Sequence, residues 1–387
     1  MNKQSLFVPP RNVTRASTLL LSLLVCTLLA ACQPLELFRS NDEPSPDGDW
    51  IGLAADVKTS PLAQKDNPLF TIQDGKKVAN GYVAPVYNGS FDRFDNGFVA
   101  TDEDKLVLFD NDLNERKSFS VPELGVGIQT FSQISRSRKH GLWGFNEGDQ
   151  EYMDKRLLFH LSDGVFRKFY RNQELQSVRV CDDGSAGWVE QEFHDNTELS
   201  IVRLKTSGDI SETRVVQPPS TDYYQPLSYM SCGDETTYLS FINSEENVDI
   251  YKFNGSGNDH PLVKVGSFGH FPDVYQLAPW LVNDGAIRFM TDHGTLATYS
   301  YDSLRVEETP RLFPADQRIV NLTFDGDEFY ITTQPLDGKA ELRIHTYSLA
   351  DPQPSEKGDH IGSLNGLLQV WAGGYAIPMA VYPKPRD

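Results

Sequence analysis

The stretch GFVATDEDKLVLFD, residues 97–110, decides the fold. It contains two short apolar runs, Gly97–Thr101 and Lys105–Asp110, on either side of an acidic turn. Short runs rich in aliphatic, aromatic and β-branched residues, bounded by turn residues, are typical of β-strands. The stretch therefore predicts two adjacent strands joined by a tight connection.

The same pair of strands recurs along the chain about every 45 residues. The further pairs are 141–145 with 156–162, 186–191 with 198–206, 237–242 with 248–254, 286–291 with 295–302, and 329–333 with 341–348. A seventh candidate, Gly374–Tyr382, lies near the end of the chain and has no second strand after it. Self-similarity at a regular period indicates a repeat architecture.

Another apolar strand precedes each pair, and a third strand follows most of them. The preceding strands are 82–87, 129–134, 176–181, 226–231, 275–281, 318–323 and 366–371. Four short strands in about 45 residues make one blade of a β-propeller. We therefore expect an all-β protein with seven blades. A six-bladed ring is the alternative if one repeat has been divided, and an array of β-sandwiches would leave the regular spacing unexplained.

The two ends of the domain are expected to close the ring together. The last repeat has two candidate strands, Gly366–Trp371 and Tyr375–Val381, and the domain begins with two more, Trp50–Thr59 and Pro68–Gln73. A blade shared by both termini leaves no unpaired sheet edge where the ring closes. Residues 50–387 thus resemble the general β-propeller class, without the Gly-His…Trp-Asp signature of one of its repeat families.

The amino-terminal region has the features of an export signal. A basic leader with Lys3, Arg11 and Arg15 precedes an apolar run over residues 18–29. This run has about 12 residues, too few to cross a bilayer, which takes roughly 20 helical residues. It ends in the sequence LAAC, residues 29–32, which resembles the lipobox of bacterial lipoprotein signal peptides.

The resemblance implies that Cys32 becomes the lipidated first residue of the mature protein. In that family a diacylglyceryl group is attached to the cysteine thiol, cleavage occurs before the cysteine, and a fatty acid such as palmitate acylates the new amino terminus. Gln33 follows the lipobox. In lipoproteins of Gram-negative bacteria, a residue other than Asp directly after the cysteine implies transfer to the outer membrane. In a Gram-positive bacterium the anchored protein is expected on the outer face of the cell membrane. An ordinary signal peptide cut near Ala31 is the alternative.

We expect three parts: a signal peptide at 1–31, a lipidated flexible tether at 32–49 and the propeller domain at 50–387. The tether is rich in Pro, Ser, Asp and Glu and has little to bury. The chain has 35 Lys and Arg against 54 Asp and Glu, a net charge of −19. An acidic surface repels phosphate backbones, so nucleic acid is not an expected partner, and the membrane is expected to be contacted through the lipid anchor only.

Two cysteines of the propeller domain occupy equivalent positions. Cys181 and Cys232 end the first strands of two consecutive repeats. The first strands of neighbouring blades are the innermost ones and converge on the axis of a propeller. In an oxidising compartment the pair is expected to form a disulfide, with two buried free thiols as the alternative.

The segments that lead into the first strands often carry glutamine beside an aromatic residue. Amides both donate and accept hydrogen bonds, and tyrosine suits protein interfaces. A ring of these side chains at one mouth of the axial channel would therefore bind a glycan or a peptide backbone. The expected binding residues are Gln129, Gln176, Tyr224, Gln225, Tyr275, Gln276, Gln317 and Arg318, with His270 and Asp273 as charged neighbours. The alternative is that each glutamine only ties down its own loop.

No motif indicates a metal, a cofactor or a catalytic centre. The eight histidines lack zinc-ligand spacing, and the acidic loop 110–114 lacks the Gly and Glu of a calcium-binding loop. The expected function is that of a membrane-anchored envelope lipoprotein that binds a partner protein or an envelope polymer such as a glycan. The alternatives are an extracytoplasmic enzyme acting on polysaccharide and a propeller that holds a small ligand.

Overall fold

The computed structural model describes residues 45–56, 67–83, 90–102, 104–121, 128–146, 156–171, 173–192, 195–216, 221–233, 236–243, 245, 247–253, 262–270, 281–283, 285–291, 293–337, 339, 341–364 and 376–385. The expected signal peptide, Cys32 and the tether up to residue 44 lie outside this part of the chain. All regular structure within it is β-strand. It contains no helix with the length and apolar character needed to cross a bilayer.

Within the residues described, twenty-eight strands follow one another. The first fourteen are β1 (Trp50–Asp56), β2 (Asn67–Gln73), β3 (Lys76–Val83), β4 (Phe91–Phe94), β5 (Gly97–Asp102), β6 (Lys105–Phe109), β7 (Glu115–Ser120), β8 (Ile128–Ile134), β9 (His140–Asn146), β10 (Arg156–Ser162), β11 (Val165–Arg171), β12 (Glu174–Val180), β13 (Ala186–Glu192) and β14 (Asp195–Leu204). The others are β15 (Ile210–Val216), β16 (Thr221–Met230), β17 (Thr237–Asn243), β18 (Asn247–Phe253), β19 (Val263–His270), β20 (Leu281–Asn283), β21 (Ala286–Met290), β22 (Leu296–Ser300), β23 (Arg305–Glu308), β24 (Gln317–Asp325), β25 (Glu328–Pro335), β26 (Arg343–Ser348), β27 (Asp359–His360) and β28 (Ala376–Pro383).

These strands form seven sheets of four strands each, the blades of a seven-bladed β-propeller. Blades 1 to 6 take four consecutive strands each, from β4–β7 to β24–β27, and the seventh or closing blade has the order β28-β1-β2-β3. The expected all-β fold with seven blades is confirmed. The repeating strand pairs read from the sequence correspond to the second and third strands of blades 1 to 6.

The closing blade joins the two ends of the domain, as expected, but the number of strands that each end contributes differs from the prediction. One carboxy-terminal strand, β28, pairs antiparallel with β1, with Trp50 opposite Pro383. Three amino-terminal strands complete the sheet, where two had been expected. The expected strand at 366–371 lies outside the described residues.

The third amino-terminal strand, β3, was missed because it is a polar edge strand. Asp74 and Gly75 have φ angles of 50° and 70°, which permits a tight two-residue turn from β2 into β3. Along β3 the residues alternate between exposed and half-buried, with Val83 the first buried one. The sequence prediction took residues 82–87 for the innermost strand of blade 1, and this was wrong: Tyr82 and Val83 end β3, and β4 is the innermost strand.

The core lies between blades. In β10, Leu157 and Phe159 share a buried cluster with Val99 of blade 1, whereas Leu158 shares one with Trp188 of blade 3. This alternation follows from the pleat of a strand, which sends successive side chains to opposite faces. Each blade therefore depends on both neighbours for the burial of its apolar side chains.

The ring has two distinct ends. The end where the innermost strands finish is called the clasp face here, and it carries the turns at 95–96, 135–139, 181–185 and 326–327. The end where the innermost strands begin, at residues such as Gln317, is called the opposite face. A ligand in the axis of a propeller is reached from one of these two ends.

Candidate functional site

One carboxylate and two arginines, Asp325, Arg93 and Arg138, form an ion-pair cluster at the clasp face, which we call the clasp. Asp325, the last residue of β24, forms an ion pair with Arg138, with 2.5 Å between Oδ1 and Nη2, and a second with Arg93, with 3.3 Å between Oδ2 and Nε. The Asp325 side chain is only 4% exposed. Burial raises the pKa of the Asp325 carboxyl, and the positive charges of Arg93 and Arg138 oppose that shift.

These contacts join distant parts of the ring. Asp325 belongs to blade 6, Arg93 to blade 1 and Arg138 to the first turn of blade 2. The closing blade and blade 1 stand between blades 6 and 2 on the shorter way around. The Arg138–Asp325 ion pair therefore connects two blades that are not neighbours in the ring, at its clasp face.

A second ion pair between the same two blades lies nearer to solvent. Arg136 and Asp327 approach to 2.7 Å, and both side chains are more than half exposed. The backbone supports this approach, because the amide of Asp95 in blade 1 donates to the carbonyl of Arg138 at 2.7 Å. The first turn of blade 2 thus leans over blade 1.

Arg93 contacts three different blades. Its guanidinium lies 5.7 Å from the ring centroids of Phe98 and Tyr382, a distance typical of cation–π contacts. Its Nη2 donates to the carbonyl of Pro383 at the end of β28. Arg93 therefore connects blade 1, the closing blade and Asp325 of blade 6.

The clasp face continues into blades 3 and 4. The amide of Ser137 donates to Asp182 Oδ1 at 2.6 Å, which links blades 2 and 3. Cys181 and Cys232 form the expected disulfide between blades 3 and 4, with a Cα–Cα distance of 5.8 Å. Arg179 lies 4.8 Å from the Tyr229 ring centroid and donates from Nε to Cys232 Sγ at 3.0 Å.

The opposite face contains the part of the expected binding ring that the structure describes in full. Gln317 accepts a hydrogen bond from Thr333 Oγ1 at 2.5 Å, and His345 Nε2 lies 3.2 Å from the same amide oxygen. Burial lowers the pKa of His345 to about 4, and nearby Arg343 adds to this effect. The neutral histidine and the threonine fix the orientation of the glutamine amide.

The amide nitrogen of Gln317 has no hydrogen-bond partner among the described residues. The side chain lies across its own blade, because Thr333 and His345 belong to the second and third strands of blade 6. The neighbouring Arg318 is engaged differently, because its Nη2 donates to Gln334 Oε1 at 2.8 Å, and Gln334 in turn donates to the carbonyl of Lys339. Both side chains are thus bonded within their own blade, and the Gln317 amide nitrogen differs in having no acceptor among the described residues.

The other expected binding residues are described only in part. Gln129, Gln176, Tyr224 and Gln225 lie in the innermost strands β8, β12 and β16, and His270 ends β19. Strand direction puts all of these positions toward the opposite face, but their side chains lie outside the described part of the chain. Asp273, Tyr275 and Gln276 lie outside it entirely. The binding ring remains a prediction at these positions.

One acidic residue of an innermost strand was not anticipated from the sequence. Asp92 precedes Arg93 in β4 and accepts a hydrogen bond from Ser132 Oγ of blade 2 at 2.5 Å. Burial raises the pKa of the Asp92 carboxyl, and its hydrogen bond from Ser132 opposes that shift.

A serine–histidine pair between β9 and β10 has the distances of a catalytic dyad but not the access. His140 Nδ1 lies 2.8 Å from Ser162 Oγ, and both residues are buried. A nucleophile must be reached by its substrate, so this pair is structural. Among the described residues no group of three or more His, Cys, Asp or Glu side chains could hold a metal ion.

Comparisons with known proteins do not show a family for this chain. No protein-family profile matches the sequence, and no curated protein matches it. Among solved structures, the chain is similar to apo AztD from Citrobacter koseri, with 11% sequence identity and a TM-score of 0.38. The similarity covers 82% of this chain and 97% of that one.

Proposed function

We propose that this protein is a lipid-anchored scaffold of the bacterial cell envelope that binds a partner protein or an envelope glycan through the opposite face. The clasp carries the proposal. Because the ion pairs of Asp325 with Arg93 and Arg138 already engage these charged side chains at the clasp face, we expect a ligand to bind at the other end of the ring.

The described chemistry of the opposite face favours a neutral polar ligand. Gln317 is fixed by Thr333 and His345 and keeps two N–H donors. Carbonyl and hydroxyl oxygens of a peptide backbone or a sugar accept from such donors. A strongly anionic ligand is disfavoured by the acidic composition of the chain.

The binding face is tested by partner capture from detergent-solubilised membranes. A Tyr224→Ala/Tyr275→Ala variant should lose the partners that the wild type retains, because both tyrosines are expected at the opposite face. The control is Val78→Ala/Val165→Ala, which removes two exposed apolar side chains from the outermost strands β3 and β11 toward their clasp-face ends. Recovery of the same partners by all three proteins would exclude the opposite face as the binding surface.

The anchor is tested separately by growing cells with an alkyne analogue of palmitate. The wild type should carry the label and sediment with membranes. A Cys32→Ser variant should lose both properties, because the acceptor thiol is gone. Labelling of the Cys32→Ser protein, or a soluble wild type, would contradict lipidation at this residue.

A second candidate function rests on Asp92. A carboxyl with a raised pKa on an innermost strand is one of the two acids that a glycoside hydrolase needs. Release of reducing ends from purified envelope polysaccharide, lost in an Asp92→Asn variant that folds normally, would establish an enzyme. Absence of release by the wild type would leave the binding function.

A further inference from the structure

The chain enters the propeller at a fixed point. The amide of Asp47 donates to the carbonyl of His360 at 2.6 Å, and the amide of His360 donates to Asp47 Oδ2 at 3.1 Å. Trp50 Nε1 donates to the carbonyl of Asp47 at 3.1 Å, and the Trp50 ring packs edge-on against Tyr330. Residues 47–50 are thereby attached to blade 6 as well as to the closing blade.

This point lies on the clasp face. Trp50 begins β1 and is paired with Pro383, which ends the innermost strand of the closing blade. The carbonyl of Pro383 accepts from Arg93 of the clasp. The amide of Lys384 also donates to the carbonyl of Asp49 at 2.9 Å. The point of attachment and the clasp therefore belong to the same end of the ring.

The segment between the expected lipid and this point is short. From Cys32 to Asp47 the chain has about 15 residues, which reach roughly 50 Å when fully extended and about 20 Å as a flexible coil. The innermost strand β24 runs from one face to the other and has 9 residues, so the two faces lie roughly 30 Å apart. To bring the opposite face onto the lipid, the segment would have to cover that distance along the side of the propeller, which exceeds its size as a coil.

We propose that the clasp face is turned toward the anchoring bilayer and that the opposite face looks away from it. This inference rests on the proposed lipid anchor and deepens it. The partner is then a protein or glycan of the aqueous space beyond the bilayer, and not a component buried in the anchoring leaflet. The net charge of −19 agrees with this arrangement, because an acidic body is not drawn flat onto anionic headgroups.

Two single-cysteine reporters measure the orientation. Lys139→Cys places a thiol on an exposed turn of the clasp face, and Leu336→Cys places one at a 61% exposed position of the opposite face. Cys181 and Cys232 are bridged and do not compete for the label. Each lipidated protein is labelled with a fluorophore and reconstituted into vesicles that carry a headgroup-linked quencher.

The label at position 139 should be quenched more strongly than the label at position 336. Equal quenching, or stronger quenching at 336, would overturn the orientation. Co-sedimentation of the same samples with vesicles separates the two proposals: a wild-type protein that stays in solution refutes the anchor, whereas a bound protein with equal quenching refutes the orientation alone.

A lengthened tether supplies the matched control. Inserting about 30 Gly and Ser residues after Pro44 extends the coil dimension well beyond that of the native segment. The difference between the two labels should then shrink toward zero, while binding to vesicles persists. A difference that survives the insertion would show that the short tether does not set the orientation, and would overturn this mechanism.

Discussion

Asp325 and Arg138 lie in blades 6 and 2, yet their side chains form an ion pair with 2.5 Å between Oδ1 and Nη2. The ring is therefore closed twice. One closure is the pairing of β28 with β1, which joins the chain ends within one sheet. The other is the clasp, which joins the ends of β4 and β24 to the first turn of blade 2. Opening either one leaves the blades connected by the other.

Arg93 is expected to be irreplaceable by lysine. An Arg93→Lys variant keeps the charge beside Asp325 but loses the planar fork that also reaches the carbonyl of Pro383, and it loses stacking on Phe98 and Tyr382. We expect a loss of about 2 kcal/mol in the free energy of unfolding. Urea denaturation measures it.

The control for this substitution is Arg116→Lys. Arg116 is half exposed and lies 3.7 Å from Asp95, so the change should stay within about 0.5 kcal/mol of zero. Equal losses of unfolding free energy in the two variants would show that the contacts of Arg93 in the clasp stabilise the protein no more than an exposed ion pair does.

Acid should destabilise the propeller through His160. This residue is fully buried, neither ring nitrogen has a hydrogen-bond partner among the described residues, and burial lowers its pKa to about 4. The unfolded value is near 6.5, so the folded state favours the neutral ring. Above about pH 6.5 the His160 ring is neutral in both states and does not reduce the free energy of unfolding. As the pH falls from 6.5 toward 4, protonation of the unfolded state lowers the free energy of unfolding by roughly 3 kcal/mol.

A His160→Leu variant isolates this effect from other acid-sensitive groups. The difference in unfolding free energy between the variant and the wild type should grow in favour of the variant as the pH falls from 7 to 4. A difference independent of pH would mean that the His160 ring does not titrate in this range.

The disulfide should stabilise the native state substantially. It closes a loop of 51 residues, for which the chain-entropy relation gives about 4 kcal/mol. A Cys181→Ser/Cys232→Ser variant should unfold at a lower urea concentration by a corresponding amount. An unchanged midpoint would contradict a stabilising role of the disulfide.

Reduction of the disulfide should be slow in the native state. The accessible sulfur is that of Cys232, and attack there expels a thiolate from Cys181, which is 7% exposed. The better leaving group is Cys232, beside Arg179, but it is expelled only by attack on the buried sulfur. The protein is treated with a dithiol and then with a thiol-alkylating reagent, and alkylation is measured by mass spectrometry. Cys181 and Cys232 should be alkylated in urea and hardly alkylated without it. Equal alkylation in both conditions would contradict slow reduction of the native disulfide.

The sequence predicts the parts of the fold that depend on local pattern. Strand pairs such as Gly97–Thr101 with Lys105–Asp110 recur at a regular period, and each corresponds to the middle of one blade. Cys181 and Cys232 could be paired because they occupy equivalent repeat positions. The strand β3 was missed because an edge strand has few buried side chains and so lacks an apolar pattern.

The clasp could not be predicted from the sequence. Asp325, Arg93 and Arg138 show no regular spacing in the sequence. Nothing in the sequence distinguishes them from ordinary charged residues of the surface. Arg138 lies in a turn with a φ angle of 61°, and it meets Asp325 only because the ring brings residues far apart in the chain to one end of the axis. Gln317 was singled out by its repeat position, but its free N–H donors depend on contacts with Thr333 and His345.

The central claim is that the Arg138–Asp325 pair couples blades on two sides of the ring, and a double-mutant cycle tests it most directly. Unfolding free energies of Arg138→Ala, Asp325→Asn and the double variant should give a coupling of about 1–3 kcal/mol. The exposed pair Arg136–Asp327, examined in the same way, should give less than about 1 kcal/mol. Additive effects of Arg138→Ala and Asp325→Asn would contradict the clasp.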